Sequence, residues 1–151
     1  MAYINTAADS VEQYINSALS PQVWEAILDS WQSELKIYLY PIKSIESITY
    51  LSSDGTEFTL HVTSYSVNLK AKPAVIRFNN LPNTMLYPTG AITINMKAGY
   101  LSPTEIPMGI IHAIKLLTSQ YYENREPQKG EDAMPAVVKA LLEPYRLKGA
   151  W

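Results

Sequence analysis

The sequence predicts an α+β fold with an N-terminal helix, a central antiparallel β-sheet of about six strands with hairpins, two C-terminal helices and a tail. Two observations predict it: apolar residues alternate with polar ones across residues 21–98, and they recur at helical spacing on both sides of that region. Strands and helices that are segregated along a chain favour α+β over a repeated strand–helix–strand arrangement. A length of 151 residues indicates a single domain, 1–151, which can bury about 70% of its unfolded surface.

The first predicted helix covers residues 7–18. Its apolar stripe consists of Ala8, Val11, Ile15 and Ala18. Thr6 and Asp9 provide a plausible N-terminal cap region. A helix of this length is marginal alone, so we expect it to pack on another element, which the sequence does not identify.

Residues 21–98 predict strands with one dry and one wet face, as in an antiparallel sheet. The dry-face positions are Leu35, Ile37 and Leu39; Phe58, Leu60 and Val62; Tyr65, Val67 and Leu69; and Ile92, Ile94 and Met96. Ser53-Asp54-Gly55 predicts a hairpin turn, because glycine tolerates positive φ there. Residues 79–90, with two prolines and a glycine, predict a surface loop.

Two helices are predicted after the strands, over residues 104–126 and 135–143, followed by a tail over 144–151. Glu105 suits the positive end of the first of these helices, and Pro107 is tolerated in its first turn. The apolar stripe of that helix is Ile110, Ile114, Leu117 and Tyr121, thickened by Ile111 and Thr118, and its wet stripe is His112, Lys115, Ser119 and Glu123. The second helix carries Val137, Val138, Leu141 and Leu142.

Composition excludes several classes of function. The net charge of −2 leaves no basic excess for tight binding to DNA, although brief passage of DNA past a neutral or acidic surface stays compatible with it. The absence of cysteine excludes disulfides, thiolate catalysis and Cys-based zinc sites. The N-terminus has neither a basic region nor an apolar run, and no apolar stretch approaches about 20 residues, so we expect no signal peptide and no membrane contact.

Motifs for catalysis are missing. His61 and His112 each lie on a predicted wet face without a second ligand at metal spacing, so we expect solvated histidines. No GxSxG, GxGxxG or Walker sequence occurs. The carboxylate pairs Glu123 with Glu126 and Glu131 with Asp132 lie in polar stretches where ordinary pKa values are expected. We therefore expect no enzyme, and no catalytic, cofactor-binding or metal-binding residues.

A polar–aromatic patch lies at the end of the long C-terminal helix, in Tyr121-Tyr122-Glu123-Asn124-Arg125-Glu126. Its functional interpretation is a subunit interface formed by Tyr121, Tyr122, Glu123 and Arg125, since tyrosine and arginine are common interface anchors. Its structural interpretation is a helix end in which Tyr121 stacks on Arg125 one turn later. The 11 tyrosines of the chain, against 2 phenylalanines, leave the same two interpretations open, because both interfaces and half-wet sheets favour tyrosine.

Several segments resemble the head–tail connector proteins of tailed bacteriophages, which are also called adaptor or head-completion proteins. They are the strand segment Pro41–Tyr50, the junction Ala98-Gly99-Tyr100 with Ile106-Pro107, the helix segments Ile110–Leu117 and Tyr121–Glu126, and the closing Leu141–Arg146. Trp24 also falls where that family tends to carry a tryptophan in its first strand. Each motif is short, but their order and spacing are specific, and together they span residues 7–147. Members of the family usually carry further helical sequence before the position of Ala7.

The resemblance implies a structural virion protein that forms a ring, commonly of twelve copies. The ring docks beneath the portal at the neck of the capsid, extends the DNA channel and gives tail or stopper proteins a platform, after assembly in the host cytoplasm. Residues 110–125 would line or support the ring. Tyr145, Arg146, Leu147 and Trp151 would be portal contacts, and an exposed Trp151 is reasonable only if a partner buries it. The implied partners are further copies of the chain, portal, tail or stopper proteins, and DNA in transit.

Two alternatives stay open from the sequence. A stopper or a tail terminator is also a ring-forming neck or tail protein, and composition does not separate these from an adaptor. A small soluble binding module or enzyme would need a pocket with convergent polar groups, for instance near His61 or His112.

Overall fold

The computed structural model describes residues 2–124 and 134–149. Within them, three α-helices flank a β region: α1 (Ala2–Ile15), α2 (Met108–Glu123) and α3 (Ala136–Leu142). Short 3-10 turns cover Val62–Ser64, Pro103–Glu105 and Glu143–Tyr145. The order of helix, strands and helices confirms the predicted α+β class.

Seven strands lie between α1 and α2. They are β1 (Gln22–Leu28), β2 (Glu34–Ile37), β3 (Ile42–Leu51), β4 (Glu57–Thr59), β5 (Tyr65–Asn68), β6 (Ala74–Phe78) and β7 (Ile92–Ala98). They form two antiparallel sheets, in the order β1-β7-β3-β4 and β2-β6-β5. The prediction of one central sheet of about six strands is therefore corrected to two sheets with seven strands. The pairing joins strands far apart in sequence, such as β1 with β7, and alternation within a strand does not specify its partner.

The two sheets share one hydrophobic core. Buried residues of both sheets belong to it, including Leu35 and Ile37 from β2, Ile76 from β6, and Ile94 and Met96 from β7. Trp31 packs edge-to-face against two rings, and its centroid lies 5.7 Å from that of Tyr50 and 5.4 Å from that of Phe78.

A second core joins the three helices. Ala7, Val11 and Ile15 of α1 pack with Ile110, Ala113 and Leu117 of α2 and with Val138 and Leu142 of α3. The packing partners of the N-terminal helix, which the sequence does not identify, are therefore the two C-terminal helices. The residues of α2 predicted to be wet, His112, Lys115, Ser119 and Glu123, are all exposed, which confirms the predicted orientation.

The helix bounds differ from those predicted at α1. The helix begins at Ala2, not at Ala7, and Thr6 lies inside it: its hydroxyl donates a hydrogen bond to the carbonyl of Ala2 (3.0 Å), as serine and threonine do within helices. The helix ends at Ile15 because Asn16 adopts a left-handed conformation (φ 53°).

The C-terminal helices are shorter than predicted. A 3-10 turn with Pro103 and the following Pro107 delay the start of α2 to Met108. Glu105 does not serve that helix as a dipole partner; its carboxylate accepts from the Leu101 amide (3.3 Å) and pairs with Lys43. The predicted end of this helix, residues 125–126, lies outside the described residues.

The predicted strand faces are confirmed in the centre of the sheets and wrong at one side. Ile92, Ile94 and Met96 are fully buried, as predicted. Phe58, Val62 and Val67 were predicted to lie on dry faces, yet they are 44%, 68% and 36% exposed. These three residues lie on or beside β4 and β5, the outermost strands of their sheets, where no other described element covers them.

Close backbone contacts join the two cores. The Tyr40 carbonyl accepts from the Ala18 amide (2.9 Å) and the Ser17 hydroxyl (2.7 Å). Gly99, at the end of β7, has φ +109°, and a Cβ at that position would overlap the carbonyl oxygen of Ser20. The segment after α1 and the end of β7 are thus held in close backbone contact.

Candidate assembly surfaces

The predicted interface patch at the end of α2 is divided between core and surface. Tyr121 packs on the helical core, and its hydroxyl lies 3.3 Å from that of Ser10. Tyr122 points outwards, is 66% exposed and meets Tyr3 of α1 edge-to-face at 6.4 Å. Glu123 is exposed, and Arg125 lies outside the described residues. Helical geometry explains the division, because neighbouring residues on a helix are about 100° apart.

Tyr122 and Glu123 border a groove between α1 and α2. Its volume is about 380 Å³, and Tyr3, Ile4, Thr118 and Ser119 complete its lining. Ile4 is 49% exposed, so the groove offers apolar and hydroxyl groups together. Such a mixture is typical of surfaces that bind another protein.

The C-terminal segment is held against α1. The Leu147 amide donates to the Ile15 carbonyl (3.1 Å), and the Asn16 side-chain amide donates to the Leu147 carbonyl (3.0 Å). Leu147 is only 8% exposed. Leu147, one of the portal contacts that the resemblance implies, is therefore buried within the protomer beside α1, whose position the sequence does not give.

Charges around Glu143 hold the same segment. Its carboxylate pairs with Lys148 (2.9 Å) and accepts from the Tyr14 hydroxyl (3.2 Å). The hydrogen bond from Lys148 is the largest cause that lowers the pKa of Glu143. The Arg146 guanidinium lies over the ring of Tyr14, 4.7 Å from its centroid. These contacts are exposed and each contributes little alone, but together they orient the segment.

Tyr145 rests on the first turn of α2. It is 37% exposed, and a Cβ at Gly109 would lie 2.9 Å from its hydroxyl oxygen, so a larger residue at position 109 requires the Tyr145 side chain to shift. Trp151 lies outside the described residues. Of the four predicted portal contacts, Tyr145 and Arg146 are exposed and Leu147 is internal.

A cleft of about 510 Å³ lies beside this segment, between the two cores. Its lining includes Tyr40, Lys72, Tyr100, Tyr145 and Arg146. The Lys72 ammonium lies over the Tyr40 ring, 4.1 Å from its centroid. Burial is the main cause that raises the pKa of Tyr100, so its hydroxyl stays neutral at physiological pH.

A further cleft was not predicted from the sequence. It has a volume of about 610 Å³ and is lined by residues 24–28 of β1, by residues 34–36 of β2, and by Gln32 and Tyr38. Three apolar side chains of β1 are exposed there or beside it: Val23 (69%), Trp24 (42%) and Ile27 (61%). The signal in the sequence is the run Val23–Leu28, in which apolar residues occupy both faces of a strand.

The described residues offer little for catalysis. No group of three or more His, Cys, Asp or Glu side chains in them could hold a metal ion. His61 and His112 are exposed, as predicted, and neither lines any of the three clefts above. Within residues 2–124 and 134–149, no helix is long and apolar enough to span a membrane.

The fold defined above, with two antiparallel sheets on one core and three helices on another, occurs in the necks of phage-like particles. A structure of the virion of a native gene transfer agent particle contains a chain with TM-score 0.80 and 22% identity, covering 99% of this chain and 77% of that one. A structure of the neck of the native particle, computed with C12 symmetry, gives TM-score 0.77, 24% identity and coverage of 99% and 82%. The neck of the empty particle, computed with C6 symmetry, gives TM-score 0.78 and 24% identity, covering 99% of this chain and 77% of that one.

The comparison confirms, at the level of fold, the resemblance to connector-type neck proteins. Scans with models of known protein families and against curated protein sequences find no match.

Proposed function

We propose that this chain is a structural neck protein of a tailed phage or phage-like particle, and that twelve copies form a ring joining the portal to the tail. One observation carries the proposal: 99% of the chain superposes on a chain of a neck whose structure was computed with C12 symmetry. The ring extends the DNA channel, lies in the virion and is assembled in the host cytoplasm. The protein works by assembly and is not an enzyme.

The surface chemistry supports assembly. Fifteen large hydrophobic residues are exposed within the described part of the chain, and several lie together on β1 or on the α1–α2 groove. Single exposed apolar residues are common in monomers, but groups of them beside an open cleft mark contacts with other proteins. A net charge of −2 also suits a channel through which DNA slides without tight binding.

The test is the mass of the purified protein, measured by light scattering with and without the portal of the same particle, with negative-stain images of the product. We expect rings of twelve copies, formed alone or on portal. A protein that stays monomeric at high concentration and ignores portal contradicts the proposal. Capture by portal, but not by tail proteins, distinguishes an adaptor from a stopper or a tail terminator.

We further propose that Tyr145 and Arg146, with Trp151, contact the portal, while Leu147 supports them from inside the protomer. The groove at Tyr122 and Glu123, with Arg125, is proposed as a contact between subunits. Tyr145→Ala should weaken portal binding by about tenfold or more. Tyr87→Ala is the matched control, since Tyr87 is similarly exposed (42% against 37%) and lies in the loop before β7. Equal loss of portal binding and of folding stability in Tyr145→Ala would contradict a portal contact.

A further inference from the structure

The cleft of about 610 Å³ beside β1 and β2 runs along two free strand edges. Neighbouring residues of a strand point to opposite faces, so a cleft lined by the five consecutive residues 24–28 must follow the edge of β1. The same holds for residues 34–36 of β2. Among residues 2–124 and 134–149, β1 pairs only with β7 and β2 pairs only with β6, so both strands have an edge without a strand partner there. The two sheets thus present their free edges on the same side of the molecule.

Apart from the charge of Glu25, the edge of β1 lacks the features that normally protect an edge strand. It has seven residues, no proline and no lysine, and its register with β7 is continuous. Val23 and Ile27 are 69% and 61% exposed on it. Natural monomers blunt such edges with charges, prolines, bulges or very short strands, because an open edge pairs with another chain. This edge is therefore expected to be covered in the working state of the protein.

The opposite side of the molecule carries the other two edges. β4 ends the first sheet, β5 ends the second, and only residues 60–64 separate them. Phe58, Val62 and Val67, the residues whose exposure differs from the predicted dry face, lie on this side. Each sheet therefore has one edge on each of two different surfaces, and both surfaces are partly apolar.

Opposite charges on the two surfaces can also form ion pairs between two copies. Glu25 and Lys36 lie on the β1–β2 side, and Glu57 and Lys70 lie on or next to the β4–β5 side. None of these four forms an ion pair within the described part of the chain. Opposite charges brought together at the margin of an interface fix its register and orientation.

We infer that the β1–β2 edges of one copy receive the β4–β5 edges of the next copy, so that both sheets continue from subunit to subunit. Contacts between two different surfaces generate a ring when the rotation closes, whereas β1 pairing with β1 of a second copy would give only a closed dimer. This inference rests on the proposed ring and adds which surfaces form it. Main-chain hydrogen bonds would supply affinity, and the exposed apolar side chains would supply specificity.

Crosslinking between cysteines tests this pairing directly, because the chain has no cysteine of its own. The double variant Ile27→Cys with Phe58→Cys, treated with a short bis-maleimide after assembly, should give a ladder of multimers that extends to the complete ring. Ile27→Cys alone and Phe58→Cys alone should give no covalent dimer. In the control, Val137→Cys replaces Ile27→Cys, since Val137 has a similar exposed fraction (59% against 61%) but lies on α3. Dimers from Ile27→Cys alone would indicate β1–β1 pairing and overturn the inference.

A charge on the open edge gives an independent measurement. Ile27→Lys should raise the protein concentration needed for ring formation by about tenfold or more, with an unchanged unfolding midpoint of the monomer. Val137→Lys should leave ring formation unchanged. Rings that form normally in Ile27→Lys, without a ladder in the double variant, would refute this interface while the neck function stands. Failure of the wild type to form rings even with portal would instead refute the proposed function, and this interface with it.

Discussion

The amide of Leu147 donates a hydrogen bond to the carbonyl of Ile15, the last residue of α1, at 3.1 Å. This contact joins the segment after α3 to the C-terminal end of α1. Leu147 also buries its side chain, with 8% exposure. The segment after α3 is therefore part of the folded protomer, and the exposed side chains of Tyr145 and Arg146 are the ones that can meet a partner.

Leu147→Ala should destabilise the protomer by about 2–3 kcal/mol, since it leaves a cavity beside α1. Leu101→Ala removes the same atoms from a side chain that is 68% exposed, and it should change the free energy of unfolding by less than about 0.5 kcal/mol. Urea unfolding of both variants measures the difference. Equal effects would show that Leu147 is not packed against the helical core.

Gly109 and Tyr145 should be coupled. Gly109→Ala alone places a methyl group 2.9 Å from the Tyr145 hydroxyl oxygen, so the side chain must shift, and the change should lower the free energy of unfolding by about 1 kcal/mol. In the Tyr145→Ala background the space is open, and the same change should stabilise by about 1 kcal/mol through helix propensity. A double-mutant cycle by chemical denaturation checks this change of sign. Additive effects would contradict the packing described.

Gly99 and Gly55 should respond differently to alanine. Both have positive φ, +109° and +85°, but a Cβ at Gly55 meets no atom within 4 Å, whereas one at Gly99 overlaps Ser20. Gly55→Ala should cost about 1 kcal/mol, the cost of a left-handed conformation. Gly99→Ala should lower the free energy of unfolding by about 3 kcal/mol or more, because the backbone at Ser20 must also move. Thermal unfolding of the pair is the measurement, and similar midpoints would contradict the close approach of the two backbone segments.

Asp54 should contribute a pH-dependent part of stability. The Ser52 hydroxyl, and then the Thr56 amide, donate to its carboxylate and lower its pKa from the ordinary 3.8 to about 2. Because the folded pKa is the lower one, the contribution is complete above pH 4 and is lost as the pH falls through 2. Titration of the Asp54 carboxyl signal by NMR gives the pKa, and Asp54→Asn should flatten the stability profile between pH 4 and pH 2. A midpoint near the ordinary value would show that the hairpin hydrogen bonds do not persist in solution.

Local patterns in the sequence predicted the helices and strands, whereas strand pairing and burial depend on contacts between residues far apart in the chain. Alternation identified Ile92, Ile94 and Met96 as buried, because a strand and its apolar face are both encoded by neighbouring residues. The same pattern at Phe58 and Val67 predicted an apolar strand face but not its exposure, because these outer strands are not covered by any of the residues that the structure describes. Pairing of β1 with β7 links residues about seventy positions apart, which no local pattern encodes.

The candidate assembly surfaces were predicted only in part, because some of their features are encoded locally and others depend on contacts between distant residues. Tyr121 and Tyr122 are adjacent in sequence, and helical spacing places only Tyr121 on the apolar stripe. The burial of Leu147 could not be predicted, because it depends on where α1 lies in space. The open edge of β1 was missed because an exposed apolar run and a buried one have the same sequence pattern.

A reconstruction of the tail vertex of the particle that contains this protein tests the central claim most directly. The account predicts density for twelve copies of this fold in a ring between portal and tail, with both sheets continuous across each subunit boundary. Density for this fold at another position, or its absence from the neck, would contradict the account.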